Sequence, residues 1–136
     1  MRFPNKETVE MVRRQYPRGT RVALVRMEDV QAPPEGTRGT VIGVDDTASV
    51  MVSWDNGSGL NVVYGEDIIR KLKDDEVTTI CYGTRRDWTS RKEAEQFFLE
   101  GTMACEGSEK DRYATILCKL VSGDMVCSDG EDSNGR

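Results

Sequence analysis

The feature that most restricts the fold is a succession of short β-type segments in the first half of the chain. Each segment has five to eight residues, is rich in Val, Ile, Thr and aromatic side chains, and ends at a turn signal of Gly, Pro, Asp or Asn. The segments are residues 21–26, 37–44, 49–54 and 60–64. Asn56-Gly57 separates the last two, where a tight hairpin needs residues that tolerate a positive φ. The pattern predicts a sheet with hairpin connections.

A short amphipathic helix is predicted before these segments. Asn5 can cap it, Pro17 ends it, and the apolar residues between them recur at steps of three and four: Val9, Val12 and Tyr16. After the fourth segment, residues 67–69 are expected to form one helical turn and residues 70–72 a last short strand. Four strands, a helical turn and a fifth strand are the element order of a small SH3-like β-barrel. Residues 1–73 are therefore expected to form a helix plus a barrel.

The second half predicts a strand-helix-helix-strand unit over residues 76–127, which makes the whole chain α+β. Residues 77–82 alternate as a strand, and residues 125–127 are expected to form the closing strand. Two helices lie between these strands, each opened by a polar residue followed three positions later by an acidic one: Ser90 with Glu93, and Ser108 with Asp111. A two-stranded ribbon is marginal alone, so we expect this half to depend on the first for its core.

Two short polar segments flank that unit. Residues 73–75 are predicted to be a linker, and residues 128–136 are acidic and rich in Gly and Ser, which is typical of a flexible tail.

The absence of histidine excludes several classes of chemistry. Without it the chain has no Ser-His-Asp or Cys-His pair and no histidine-containing zinc site. The cysteines also lack the two-to-four-residue spacing of paired zinc ligands: Cys81, Cys105, Cys118 and Cys127. We therefore expect no enzyme activity, no metal, no cofactor and no small-molecule substrate. The cysteines are expected to be thiols of a reducing cytosol.

Charge and hydropathy bear on location and partners. No apolar run approaches the roughly 18 residues of a membrane helix, and residues 1–6 lack the apolar stretch of a signal peptide, which predicts a cytoplasmic protein without a membrane partner. The net charge is −5, but residues 1–27 contain seven basic and two acidic side chains. A basic N-terminus on an acidic body indicates either internal complementarity or a surface that faces an anion.

Motifs in both halves resemble small domains of mobile genetic elements. In the first half they are Asn5-Lys6-Glu7-Thr8-Val9, Gln15-Tyr16-Pro17, Ala32-Pro33-Pro34 and Trp54-Asp55-Asn56-Gly57-Ser58-Gly59-Leu60. On these, residues 1–73 resemble an uncharacterised small SH3-like barrel domain family of bacterial phages and conjugative elements. The second half is similar to a small module of phage and mobile-element proteins through Ile80-Cys81-Tyr82-Gly83 and Phe97-Phe98-Leu99-Glu100-Gly101. The resemblance implies a fold and a context but no activity.

Aromatic residues supply the first candidates for partner binding. Trp54 and Tyr64, with Pro33-Pro34, are candidates for a peptide-binding groove, although a small barrel also needs a tryptophan to fill its interior. Trp88 follows Arg85 and Arg86 in a segment that we interpret as a polar loop, and an exposed Trp beside Arg is typical of an interface anchor. The alternative for Trp88 is a contact with its own helix.

Acidic pairs supply the second set of candidates. Asp45-Asp46 and Glu66-Asp67 could together imitate nucleic-acid phosphates towards a basic groove, or could simply be solvated turns.

The leading hypothesis is a non-catalytic binding protein of phage or mobile-element origin. It would inhibit a host nucleic-acid-targeting defence protein, such as a CRISPR effector nuclease, by occupying its surface. The alternative is an accessory barrel protein that binds DNA or RNA through its basic N-terminal helix. In that case the phosphate contacts would come from Arg13, Arg14 and Arg18. Direct binding to nucleic acid is the less favoured of the two.

Overall fold

The computed structural model describes residues 5–130. The protein has an α+β fold and divides between Leu72 and Lys73 into two compact units, which we call the N-terminal and C-terminal units. No helix in residues 5–130 combines the length and apolarity needed to cross a membrane. Most of the predicted tail, residues 131–136, lies outside the described residues.

The N-terminal unit is one helix followed by five strands. Its elements are α1 Lys6–Gln15, β1 Arg21–Arg26, β2 Arg38–Val44, β3 Ser49–Trp54, β4 Val62–Val63 and β5 Ile68–Lys71. The predicted helix is confirmed, including its cap, because the Asn5 side chain accepts a hydrogen bond of 2.8 Å from the Thr8 N–H. Helix α1 buries Val9 and Val12 in the core of the unit.

The five strands form an antiparallel sheet in the order β4-β3-β2-β1-β5. The sheet predicted as an SH3-like barrel is not closed, because β4 and β5 lie at opposite edges of the described sheet and do not pair with each other. Strand β4 has only two residues, since the Glu66 and Asp67 N–H groups donate to the Val63 carbonyl and turn the chain there. The predicted helical turn at residues 67–69 is also wrong, since Ile68 already belongs to β5.

Trp54 fills the core of this unit. It is 2% exposed, and its indole Nε1–H donates to the Leu60 carbonyl at 2.8 Å. Gly39 lies opposite Trp54 on the neighbouring strand, and a Cβ there would come within 2.6 Å of Val52 Cγ1 and 2.9 Å of Trp54 Cε3. The glycine is therefore required by a close approach of the two strands. This burial corrects the assignment of Trp54 to a peptide-binding groove.

A buried ion pair ties the first strand to the turn after β3. The Arg21 guanidinium donates to both Asp55 carboxylate oxygens, at 3.0 and 2.8 Å, and to Thr40 Oγ1 at 3.1 Å. The two side chains are only 4% and 14% exposed. The aspartate of the Trp-Asp-Asn-Gly turn is thus a structural residue that holds β1 against β2 and β3.

The C-terminal unit contains three strands and two helices. They are β6 Thr78–Cys81, β7 Thr84–Asp87, α2 Arg91–Ala104, α3 Gly107–Val121 and β8 Val126–Ser128. The sheet order is β7-β6-β8, with β7 antiparallel and β8 parallel to the central strand. The predicted two-stranded ribbon is therefore wrong, because the segment interpreted as a polar loop forms β7.

The C-terminal unit has a hydrophobic core of its own. Its buried members are Val77, Trp88, Ala94, Phe98, Ile116, Leu120 and Cys127. The expectation that this half lacks a core is wrong. It followed from the prediction of two strands instead of three.

One of the two helix starts predicted for this half is confirmed, whereas the other helix start and the start of the tail were predicted wrongly. The Ser90 cap is confirmed, because its hydroxyl accepts from the Glu93 N–H at 3.2 Å. The Ser108 cap is wrong, since α3 already begins at Gly107 after Glu106. The tail prediction also fails at its start, where Ser128 belongs to β8 and Asp129 is 8% exposed.

Candidate binding site

A cleft between the sheet and the helices of the C-terminal unit is the strongest candidate for a functional site. It encloses about 270 Å³ and is lined by Thr79, Cys81, Tyr82, Thr84, Arg86, Phe97, Phe98 and Tyr113. We call it the Arg86 cleft. Strands β6 and β7 supply one wall and helices α2 and α3 the other, so that four aromatic side chains from three different elements surround one opening.

Arg86 is held in the cleft by two aromatic rings. Its guanidinium carbon lies 3.8 Å from the centre of the Trp88 ring and 5.2 Å from that of Phe97. Both distances are those of cation–π contacts. Arg86 is exposed and forms no ion pair with a carboxylate of residues 5–130. The cleft therefore presents a fixed positive charge that the described part of the chain does not neutralise.

Arg86 stacks on the ring of Trp88. The burial of this ring corrects the prediction of Trp88 as an exposed anchor. It is 7% exposed, and its indole N–H donates to Thr79 Oγ1 at 3.0 Å. The ring lies 5.7 Å from Phe97 and 6.4 Å from Phe98. Trp88 directly follows β7 and packs into the core, so it positions Arg86 and Phe97 and is not itself available to a partner.

The helix wall depends on a close approach of α2 and α3. A Cβ at Gly101 would come within 3.1 to 3.3 Å of ring atoms of Tyr113, so the ring packs against bare backbone. Tyr113 in turn lies 5.7 Å from Phe98, and Phe97 and Phe98 meet edge to face at 5.0 Å. Phe97 remains 45% exposed at the end of this chain of rings. The aromatic wall is therefore packed internally and open on one side.

The rim of the cleft is a strained hairpin turn. Tyr82 and Gly83 join β6 to β7 with φ angles of 54° and 77°, which is the two-residue turn that matches the twist of a hairpin. A tyrosine in this region is uncommon. Its N–H donates to Asp129 Oδ2 at 2.7 Å, so a buried carboxylate holds the turn.

Asp129 also anchors a second arginine at this rim. The Arg112 guanidinium donates to Asp129 Oδ2 at 2.9 Å, and its carbon lies 4.3 Å from the centre of the Tyr82 ring. The Asp129 side chain is 1% exposed and that of Arg112 19% exposed. Tyr82 is consequently fixed both through its backbone and through its ring. The residue as a whole remains 52% exposed.

The cysteines of this unit are free thiols, and burial acts on the ionisation of two of them that lie near the rim, Cys81 and Cys105. Burial raises the pKa of the Cys81 thiol, and the Asp129 charge adds to this effect. Burial followed by the Glu109 charge raises the pKa of Cys105 in the same way. Because the thiolate is the nucleophilic form, neither cysteine is activated for covalent chemistry.

Cys127 gives a pH-dependent prediction. Burial, and then the Asp124 charge, raise the pKa of its thiol to about 11. The unfolded thiol ionises at its ordinary, lower pKa, so between about pH 9 and 11 the unfolded state binds fewer protons and the free energy of unfolding falls. We expect the wild type to lose up to about 2 kcal/mol relative to Cys127→Ala across this window in chemical denaturation. Parallel curves for the two proteins would contradict this.

The predicted acidic residues of the N-terminal unit lie mainly in turns. Burial acts to raise the pKa of the Asp45 carboxyl, but hydrogen bonds from the Thr47 hydroxyl at 2.7 Å and from the Ser49 and Thr47 N–H groups at 3.0 and 2.9 Å hold this pKa below its ordinary value. Asp46 pairs with Arg13. Asp67 accepts from the Val63 N–H at 2.8 Å.

Glu66 is exposed beside Asp67. Of the four predicted acidic residues, only Asp46 and Glu66 thus present their carboxylates chiefly to solvent, Asp46 with its side chain 98% exposed.

Tyr64 is 45% exposed and contributes to a second, smaller cleft of about 170 Å³ together with Tyr16, Asp67 and Ile68. Burial raises the pKa of the Tyr16 hydroxyl, and the neighbouring Tyr64 adds to this. The structure does not bring Trp54 to this opening. Tyr64 is therefore the accessible member of the predicted aromatic pair.

The three predicted phosphate-binding arginines differ in their surroundings. The Arg13 guanidinium donates to the Val44 carbonyl at 3.1 Å and to Asp46 at 3.0 Å, which ties α1 to the β2–β3 hairpin. Arg14 and Arg18 are exposed and make no ion pair with any carboxylate in residues 5–130.

The described residues contain no group of three or more Cys, Asp or Glu side chains placed to hold a metal ion.

These features define a small α+β protein with an open five-stranded sheet in one unit and an aromatic, arginine-containing cleft in the other. The family described as "Domain of unknown function (DUF4314)" matches residues 5–72, which are half of the chain, and the protein belongs to this family. A search of curated proteins finds no match. The family match covers α1 to β5, so the Arg86 cleft lies in the part of the chain beyond it.

Sequence reasoning named Arg86 and Trp88 as candidates but gave no role in a site to Phe97, Tyr113, Arg112 or Asp129. The missed signal is the hairpin: Tyr82-Gly83 follows a β-type run and precedes Thr84, which would have predicted β7 and placed Arg86 beside the helices.

Proposed function

We propose that the protein is a non-catalytic binding protein of phage or mobile-element origin, which inhibits a host nucleic-acid-targeting defence protein by occupying its surface. The observation that carries this proposal is the Arg86 cleft, where Tyr82 and Phe97 are 52% and 45% exposed beside an arginine with no described carboxylate partner. Aromatic and arginine side chains dominate the binding energy of protein interfaces. Such a partner would place the protein in the host cytosol.

The cleft is built to bind without first rearranging. Arg86 is fixed by two rings, and Tyr82 is fixed by Asp129 and Arg112. A site whose side chains are already ordered loses less conformational entropy when a partner arrives. This preorganisation favours a binding role for residues that would otherwise be costly to leave exposed.

The chemistry of the polar side chains supports a role without catalysis. The Cys81 and Cys105 thiols have a raised pKa, and the carboxylates of Asp45, Asp67 and Asp129 accept hydrogen bonds from backbone N–H groups. Groups with such structural partners are poorly placed to exchange protons with a substrate.

Among defence proteins, a CRISPR effector nuclease suits the overall charge of this chain. Nucleases that act on nucleic acids carry basic grooves, and the chain has a net charge of −5. The solvent-facing carboxylates of Asp46 and Glu66 could add to this complementarity, although the acidic turns are secondary to the cleft in the proposal.

The proposal is tested by capture followed by reconstitution. The tagged full chain is used to capture proteins from lysates of bacteria that carry defence systems, and the captured nuclease is purified and assayed for cleavage of its nucleic acid. We expect stoichiometric inhibition by the wild type and a loss of about thirtyfold in potency for Phe97→Ala, because an aromatic anchor contributes about 2 kcal/mol.

The matched control is Arg85→Gln. Arg85 was predicted with Arg86 as a partner-binding residue, but it lies on the same strand without lining the cleft. This variant should inhibit like the wild type. Equal inhibition by Phe97→Ala and the wild type would contradict a role for the cleft, and undiminished cleavage at saturating protein would contradict inhibition itself.

A second candidate is the accessory protein that binds DNA or RNA through α1, which Arg14 and Arg18 favour by their exposure. If this holds, an Arg14→Gln/Arg18→Gln variant should flatten the dependence of affinity on salt by about 1.4 to 1.8 in log–log slope. We expect instead only weak binding of bare DNA or RNA at about 150 mM salt. Sub-micromolar binding there, abolished in the double variant, would replace the inhibitor proposal.

A further inference from the structure

We propose that the Arg86 cleft binds a segment of the partner protein in which an aromatic side chain stands next to a carboxylate. The aromatic ring enters the cleft and the carboxylate pairs with Arg86. This inference rests on the proposed function, and it names the chemistry that the partner must supply.

The size of the cleft fits one large side chain. Its volume of about 270 Å³ lies at the lower limit of the range of about 300 to 1,000 Å³ that is typical of sites for drug-sized ligands. A single phenyl, phenol or indole group needs less space than such a ligand. The cleft is therefore dimensioned for a side chain on a segment that passes over its mouth.

The walls select an aromatic ring within that size. Phe97 and Phe98 already meet edge to face, with interplanar angle 79°, and Tyr113 is tilted against Phe98 by 46°. A further ring can continue this edge-to-face arrangement, which contributes about 0.5 to 1.5 kcal/mol per pair beyond the burial of area. An aliphatic side chain would gain only the free energy of burying its apolar area.

The charge of the cleft selects the neighbouring carboxylate. The positive charge of Arg112 is already met by Asp129 at 2.9 Å, so Arg86 is the cleft-lining cation available to a partner. A guanidinium that stacks with its face on rings leaves its N–H groups at the edge for hydrogen bonding. A planar carboxylate matches this edge with two parallel hydrogen bonds.

A nucleic acid is the less suitable occupant. Burial is the main cause of the raised pKa of Tyr82 and of Tyr113, and the negative charge of Glu109 near the rim adds to it in both. This charge would repel a string of phosphates more than the single carboxylate of a peptide. The net charge of −5 acts in the same direction.

The inference is tested by NMR titration of the ¹⁵N-labelled full chain with blocked tetrapeptides. The probe is acetyl-Gly-Phe-Asp-Gly-amide, and the two control peptides replace its Phe by Ala or its Asp by Asn. We expect the probe to shift the Arg86 Nε–H, the Tyr82 amide and the Trp88 indole N–H. Each control peptide should bind at least fivefold more weakly.

Matched variants locate the site. Arg86→Gln should weaken binding of the probe at least fivefold, whereas Arg85→Gln should change it less than twofold. The reason is that, of these two arginines, Arg86 lines the cleft and Arg85 does not. The Trp88 indole resonance and the thermal midpoint show that each variant remains folded. Equal binding of the three peptides, an equal effect of the two variants, or no shift with the probe would each overturn the inference. So would tighter binding of a thymidine tetranucleotide to the same residues.

The peptide experiment and the inhibition experiment fail separately. If the probe does not bind but Phe97→Ala still abolishes inhibition, the proposed function stands and the aromatic–carboxylate occupant is wrong. If the probe binds as expected but no nuclease is inhibited, the occupant stands as ligand chemistry and the inhibitor proposal falls.

Discussion

Replacing Asp55 by alanine is expected to lower the free energy of unfolding of the N-terminal unit by about 3 to 5 kcal/mol. The change removes a carboxylate that accepts two hydrogen bonds from the Arg21 guanidinium, whose side chain is only 4% exposed. The arginine charge would then remain in the core without that counter-ion. Breaking a buried pair from one side costs far more than the net contribution of the intact pair, because the desolvated charge stays behind.

Two controls separate this effect from the loss of any surface aspartate. Asp46→Ala breaks an ion pair with Arg13 whose aspartate side chain is 98% exposed, and should cost less than about 1 kcal/mol. The double variant Arg21→Met/Asp55→Leu removes both buried charges and should be more stable than Asp55→Ala alone. Chemical denaturation of the full chain measures all three, and a cost for Asp55→Ala no larger than that of Asp46→Ala would contradict the argument.

The parts of the fold that sequence predicted well depend on contacts between residues close in the chain. The Asn5 cap of α1 and the Ser90 cap of α2 each involve a side chain and an N–H three residues later. The turn after Trp54 similarly uses Asn56 and Gly57, where the Asn56 side chain accepts from the Ser58 N–H at 3.0 Å and Gly57 has φ 93°. Propensity and spacing are sufficient signals for such local bonds.

The parts that sequence did not predict depend on distant residues. Arg21 and Asp55 are separated by 34 positions, and nothing local to either residue predicts their pairing. Barrel closure likewise depends on whether the two edge strands are long enough to meet. A Val-rich run at residues 60–64 predicts a strand but does not reveal that the turn at Glu66 and Asp67 limits it to two residues.

The candidate site was half predicted for a related reason. Strand β7 reads Thr-Arg-Arg-Asp and has no apolar alternation, so composition indicates a loop. In the structure the guanidinium of Arg86 replaces an apolar side chain by stacking on Trp88. A charged residue can therefore occupy a position that faces aromatic rings, and hydropathy patterns do not report such positions.

Replacing Asp129 by alanine should destabilise the C-terminal unit by about 3 kcal/mol and disorder the rim of the Arg86 cleft. The carboxylate is 1% exposed and accepts from both the Tyr82 N–H and the Arg112 guanidinium. Without it, the turn at Tyr82 loses the bond that offsets its positive φ of 54°. We expect broadened amide signals at Tyr82 and Gly83, and weaker binding of the aromatic–acidic peptide even at temperatures where the core remains folded.

Two aspartate variants show whether charge or hydrogen bonding is responsible. Asp129→Asn keeps an oxygen that can accept from the Tyr82 N–H but loses the charge that attracts Arg112. Its free energy of unfolding should therefore lie between those of the wild type and Asp129→Ala. Asp111→Ala, an exposed aspartate on α3, should stay within about 0.5 kcal/mol of the wild type. If Asp129→Ala were as stable as Asp111→Ala with an ordered Tyr82, the residue would not hold the rim. The stacked rings alone would then determine the shape of the cleft.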